Sequence, residues 1–189
     1  MNRLEIETIE CAGFGAMLKT LKLPYGKECD SDVKTYSNFI DYKECGNFQY
    51  KIEKPTAYTA VEKKDIALLQ KLIKSGDEHA KALRMPQVWA NITAPRWFFQ
   101  ELTTYEVGVT KGCSTSTMHQ ECKSLSGEEL EDAKDKINEG LHQTRTYMIS
   151  YQALRRIYFQ RKNHRLPIWS EFCEWIKSLP LAAELITIE

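Results

Sequence analysis

The sequence predicts an α+β fold in a single domain, and three observations support this. Two β-rich stretches, Leu4–Ile9 and Val88–Thr93, stand among longer runs whose apolar residues recur at helical spacing. A chain of 189 residues has the length of one domain and can bury roughly 70% of the surface its unfolded form exposes. Its 42% hydrophobic and 28% charged residues match an ordinary globular composition.

The elements follow in order. Leu4, Ile6 and Ile9, separated by acids, predict a first strand. Residues 11–22 place Phe14, Met17, Leu18 and Leu21 on one helical face, and Pro24 ends that helix. From Tyr25 to about Thr59 glycine, aspartate, serine and aromatics interleave. Loops and a short hairpin around Glu44–Asn47 are expected there, as the variable N-terminal part of the domain (residues 1–58). Val61, Ile66, Leu69, Leu72 and Ile73 give a helix over 59–75 with Gly76 as its stop, and a second short helix is expected from Asp77 to about Met85.

Val88–Thr93 then reads as a strand, and Ala94-Pro95 as the opening of a helix through Trp97, Phe98, Leu102 and Tyr105. Two glycines and a run of small hydroxyl residues make 108–117 a loop. Acids in its first turn favour a helix from Ser126 to about Leu141, and a longer one is expected over 146–161. Pro167 and Ser170 lead into a last helix, Phe172–Leu179, ended by Pro180.

Charge and cysteine content bound the partners. Twenty-six basic and 26 acidic residues leave no net charge, whereas binding to nucleic-acid phosphates favours a basic excess, so nucleic acid is not the expected partner. No apolar run approaches the ~20 residues of a bilayer span, and the acidic start MNRLEIETIE lacks a secretory pattern. A cytoplasmic protein with no membrane partner is expected. The six cysteines are dispersed without Cys-x-x-Cys or paired histidines, so reduced thiols are expected and no metal site.

Two segments could carry chemistry. Residues 92–119 end in Ser114, Thr115, Ser116, Thr117 and His119, with Lys111 just before. Small hydroxyl residues and glycines let a backbone approach an anion, and they equally make a solvated turn. Residues 153–165 hold Arg155, Arg156, Arg161, Lys162, His164 and Arg165. Helical geometry rotates Arg161 towards the apolar side with Leu154, Ile157 and Tyr158, while a basic helix end can also serve only its own carbonyls.

Together these segments resemble the flavin-dependent thymidylate synthases over about residues 60–189, and most closely a divergent branch met in phages and mobile elements. That family carries an Arg-His-Arg triplet followed after seven residues by Ser. With Ser114 in the Ser position, Thr104-Tyr105-Glu106 stands where the triplet would be, and SYQALRRIYFQR (150–161) places Arg161 at the family's last arginine, with Gln152 at an earlier one. The resemblance implies an antiparallel sheet packed with long helices, a homotetramer, FAD as cofactor and methylation of dUMP to dTMP. By position it implies Ser114, Arg161, Ser116, Lys111 and Gln100 for the substrate, and Thr104, Tyr105, Glu106 and His119 for the cofactor. Replacing two arginines by neutral residues and a glutamate turns attraction for a phosphate into repulsion, about 4 kcal/mol for unit charges ~4 Å apart near a surface. Three readings stay open: a flavin enzyme, a non-catalytic protein binding a nucleotide or other small molecule, and an assembly protein that reuses the fold.

Overall fold

A computed structural model describes residues 3–28 and 61–189. The hairpin expected around residues 44–47 lies outside them. Among the described residues four strands form one antiparallel sheet in the order β1-β2-β4-β3. They are β1 (Glu5–Ala12), β2 (Gln87–Pro95), β3 (Val109–Ser114) and β4 (His142–Ser150).

β2 shows why the sheet has one wet and one dry face. Val88, Ala90, Ile92 and Ala94 are fully buried, whereas the alternate Trp89, Asn91 and Thr93 remain half-exposed. On the wet face polar side chains link across strands. Asn91 donates to Glu7 at 3.0 Å, Thr146 donates to Asn91 at 2.7 Å, and Thr93 and Thr144 share a hydrogen bond of 2.7 Å. The dry face packs on the helices α1 (Phe14–Leu21), α3 (Arg96–Leu102), α5 (Tyr151–Arg161) and α6 (Pro167–Lys177), through Leu18, Phe98, Phe99, Leu154, Trp169 and Phe172. Around these lie α2 (Lys63–Lys74), α4 (Gly127–Asp135) and α7 (Ala182–Leu185). No helix of the described residues is long and apolar enough to cross a membrane.

β1, α1, α2 and β2 stand close to where periodicity predicts them. Ile9 is 54% exposed because β1 carries a bulge between Thr8 and Glu10, which takes it out of the inward series. Six expectations are corrected. Residues 108–117 are not a loop: Val109–Ser114 forms the edge strand β3, whose exposed, hydroxyl-rich residues follow from having a partner on one side only. Residues 146–150 do not open a long helix but complete β4. α5 starts after Ser150, whose Oγ accepts a hydrogen bond from the Ala153 backbone N–H at 3.2 Å. Pairing of β4 along β2 from Gln87↔Ser150 to Pro95↔His142 overrides the local helix pattern.

α4 ends at Asp135, not Leu141, having no buried residue to extend its packing. Between Asp77 and Met85 only one 3-10 turn forms, Lys81–Arg84. Ala94 and Pro95 belong to β2, and α3 ends at Leu102. There the hydroxyls of Thr103 and Thr104 turn back to donate to the carbonyls of Gln100 and Glu101, both at 2.7 Å. The last long helix starts at Pro167, a tolerated first-turn position, five residues before the expected Phe172.

Candidate functional site

The turn after α3 faces α5 along its length, and between them lies an open cleft of about 230 Å³. Thr104, Tyr105, Glu106 and Val107 line one wall. Ala153, Arg156 and Gln160, at i, i+3 and i+7 on one face of α5, line the other. Gly108 pins the turn in place. Its φ is +82°, its carbonyl accepts the Ser150 N–H at 2.8 Å, and a Cβ at this position would sit 2.4 Å from Ser150 Oγ. No bulkier residue lets the two segments approach so closely.

The cleft is left with an excess of negative charge. Arg156 Nε lies 2.6 Å from Asp77 Oδ2, so its charge is already compensated. Glu106 is exposed and has no side-chain partner among the described residues. Gln160, also exposed, offers an amide donor and acceptor.

Beside the cleft Arg161 anchors a bonded cluster. Its Nε donates to Tyr105 Oη at 2.8 Å and its guanidinium pairs with Glu101 Oε2 at 3.1 Å. Its Cζ lies 4.3 Å from the centre of the Trp169 ring. Trp169 Nε1 donates to the same Glu101 oxygen at 2.8 Å. One carboxylate thus joins α3, α5 and α6. Arg161 does face the apolar side of its helix, as helical rotation predicts, with Leu154 and Ile157 fully buried on that side. Gln152 is also structural: buried, it accepts from Arg84 Nε and donates to the Asp77 carbonyl, both at 2.9 Å.

A second set gathers at the β3 edge. Lys111 pairs with Tyr147 and Ser114 with Arg145 across the strands. Arg145 donates to Gln143 Oε1 at 2.8 Å and lies 4.3 Å from the centre of the Phe99 ring, on which the Tyr147 ring also stacks at 6.1 Å. Arg145 Nε and the Tyr147 hydroxyl are buried without a hydrogen-bond partner. Burial pushes the Tyr147 phenol above its usual range, with the charge and the polar contact of Arg145 acting in the opposite sense, so the hydroxyl keeps its proton at neutral pH.

The structure therefore divides the nine residues implied by position. Thr104, Tyr105 and Glu106 line the cleft, and Arg161 bonds to one of them. Lys111 and Ser114 lie along β3. Ser116 and His119 form a turn beyond it, the Ser116 carbonyl accepting the His119 N–H at 3.1 Å. Gln100 donates to Glu139 at 2.9 Å and is not among the residues lining this cleft. Sequence reasoning missed Glu101, Arg145 and Tyr147, because each acquires its role from a partner far away in the chain. The described residues contain no group of three His, Cys, Asp or Glu side chains placed to hold a metal ion.

A flavin dinucleotide joins a three-ring system, a pyrophosphate and an adenosine. Pockets for drug-sized ligands run to roughly 300–1,000 Å³. At about 230 Å³, with its single arginine already paired, the cleft does not fit such a molecule within the described residues of one chain.

No protein-family model matches the chain, and no curated protein matches it by sequence. Solved structures do match. Thymidylate synthase X from Helicobacter pylori, determined with FAD and dUMP, superimposes with a TM-score of 0.65 at 11% identity, covering 97% of each chain. A UMP/dUMP methylase, PolB from Streptomyces cacaoi, determined with 5-bromo-dUMP, gives 0.64 at 11% identity over 97% of this chain and 94% of its own. At such identities the likeness is one of fold, and the fold of this chain is that of thymidylate synthase X.

Proposed function

We propose that this protein binds a uridine monophosphate, dUMP or UMP, in the cleft between the 103–107 turn and α5. The observation that carries the reading is the cleft's position, beside Tyr105, Arg161 and α5, in a fold whose solved examples were determined with dUMP and a bromo analogue. The chemistry of the lining suits the parts of such a ligand. The Tyr105 ring offers an aromatic surface, Gln160 matches the donor and acceptor edge of uracil, and Arg156 becomes the cation for a phosphate if it exchanges its exposed partner Asp77 for the ligand.

Flavin-dependent methylation is a further step, and two features weigh against it. Glu106 adds a negative charge at the cleft, and the described residues do not enclose FAD. The proposal is therefore a nucleotide-binding protein that keeps the fold without the flavin reaction. It acts as a homo-oligomer, a reading supported by β1 and β3 each leaving one edge unpaired among the described residues.

Calorimetric titration of dUMP into the purified protein tests this. Saturable binding is expected, with Glu106→Arg tightening it about tenfold, the effect of roughly 1.4 kcal/mol from reversing one exposed charge. Absence of binding in both proteins would refute the cleft as a nucleotide site. An absorbance spectrum taken after adding FAD and desalting separates the two functions. Retained flavin bands would restore the methylation reading, and a flat spectrum is the expected result.

A further inference from the structure

Resting on the nucleotide-binding reading above, we propose that Glu106 sets the sugar specificity of the cleft. Its carboxylate accepts the 2′- and 3′-hydroxyls of a ribose, so the cleft prefers UMP to dUMP.

Most polar groups of the cleft are already engaged. The Thr104 hydroxyl donates to the Glu101 carbonyl at 2.7 Å. The Tyr105 hydroxyl accepts from Arg161 Nε at 2.8 Å, and the Arg161 guanidinium lies 5.5 Å from the centre of the Tyr105 ring. That ring is thereby held as a fixed wall. Arg156 Nε pairs with Asp77 Oδ2 at 2.6 Å. Glu106 and Gln160 remain, both exposed and neither with a side-chain partner among the described residues.

Of the three parts of a uridine monophosphate, only the sugar suits a carboxylate. The phosphate is an anion and is repelled by Glu106. The polar edge of uracil sets one N–H between two carbonyl oxygens, so a carboxylate accepting from the N–H meets lone pairs on both sides. Gln160, with a donor and an acceptor, matches that edge instead. Sugar hydroxyls carry no charge, and each can donate. Those of a ribose are cis neighbours, and a carboxylate presents two acceptor oxygens side by side. A deoxyribose keeps only one of the two donors. Acidic side chains hold ribose hydroxyls in other nucleotide sites for the same reason.

The order of groups along the cleft agrees. Arg156 and Gln160 lie one turn apart on one face of α5, for the phosphate and the base. The sugar joins those two parts and so faces the opposite wall, where Glu106 stands. A glutamate acting only as a solvated charge would weaken both nucleotides alike, because they carry the same phosphate. The difference between the two sugars is therefore the informative quantity.

Calorimetric titrations of UMP and of dUMP into the full chain, at one ionic strength, test this. The native protein should bind UMP about tenfold more tightly, the scale of one additional hydrogen bond to a charged acceptor. Glu106→Gln keeps the side-chain shape and one acceptor oxygen but removes the charge and the second acceptor. Glu106 is exposed and bonds to no other side chain among the described residues, so the variant should fold. Its preference for UMP should fall to about twofold, while dUMP itself binds more tightly as the repulsion is lost. Equal Kd values for the two nucleotides in the native protein overturn the inference and leave the nucleotide site standing. An unchanged preference in Glu106→Gln also overturns it, and assigns the 2′-hydroxyl to another group. Absence of binding by either nucleotide removes the proposed function, and this inference with it.

Discussion

Two arginines in this protein meet aromatic rings at the same distance and differ in everything else. Arg161 lies 4.3 Å from the centre of the Trp169 ring and Arg145 lies 4.3 Å from that of Phe99. Arg161 is bonded to a carboxylate and a phenol, and that carboxylate also holds the Trp169 indole. Arg145 is bonded to one amide, with its Nε and the neighbouring Tyr147 hydroxyl left over. A guanidinium with its own counter-charge ties helices together. One without it is held by a neutral amide and an aromatic ring. The resemblance assigned Arg161 to the substrate, and the structure gives it a structural task as well, at the border of the cleft.

Breaking the satisfied cluster should have the larger effect. Arg161→Ala removes the ion pair and the bond to Tyr105 and leaves Glu101 partly buried without its cation. A loss of about 2–3 kcal/mol is expected, a fall of roughly 5–10 °C in melting temperature for a domain of this size. A change under 2 °C would mean that the cluster carries no load and that Arg161 is free to serve a ligand.

Glu101→Gln sharpens the same point. It keeps an acceptor for the Trp169 N–H and removes only the charge, so a smaller loss of about 1–2 kcal/mol is expected in the same melt. If it equals the arginine variant, the charge rather than the hydrogen-bond geometry dominates. Tyr147→Phe should have the smallest effect on stability. It removes a buried hydroxyl whose polar neighbour is Arg145 and which makes no hydrogen bond of normal geometry, so a change within about 0.5 kcal/mol, or a slight gain, is expected. A loss above about 1 kcal/mol would show that the hydroxyl has a partner, such as an enclosed water.

The legible parts of the fold are those in which local periodicity and tertiary packing agree. α2 buries Leu69 and Ile73 on the face that the spacing predicts, and β2 alternates as a half-buried strand should. Arg161 is placed by helical rotation alone. β3 and β4 are not legible, for opposite reasons. β3 looks like a loop because an edge strand is stabilised by backbone pairing, which side-chain identity hardly reports. β4 ends where α5 begins, and the apolar residues of both merge into one apparently helical run until Ser150 caps the helix. Of the candidate site, Thr104–Glu106 and Arg161 were reached through the resemblance. Glu101, Arg145 and Tyr147 were out of reach, because no local pattern marks an acid that serves two distant helices or a phenol that lacks a partner.

By itself, then, the sequence determined an α+β chain, the positions of its periodic helices, the inward face of α5 and a neutral balance of charge. Spacings of 2 and 3.6 residues and total composition are properties of the chain alone. Tertiary structure decided which strands pair, where the bulge falls and therefore which side chains share a face. Strand parity is meaningful only once a partner sets the register, and one inserted residue moves every side chain after it to the other side of the sheet.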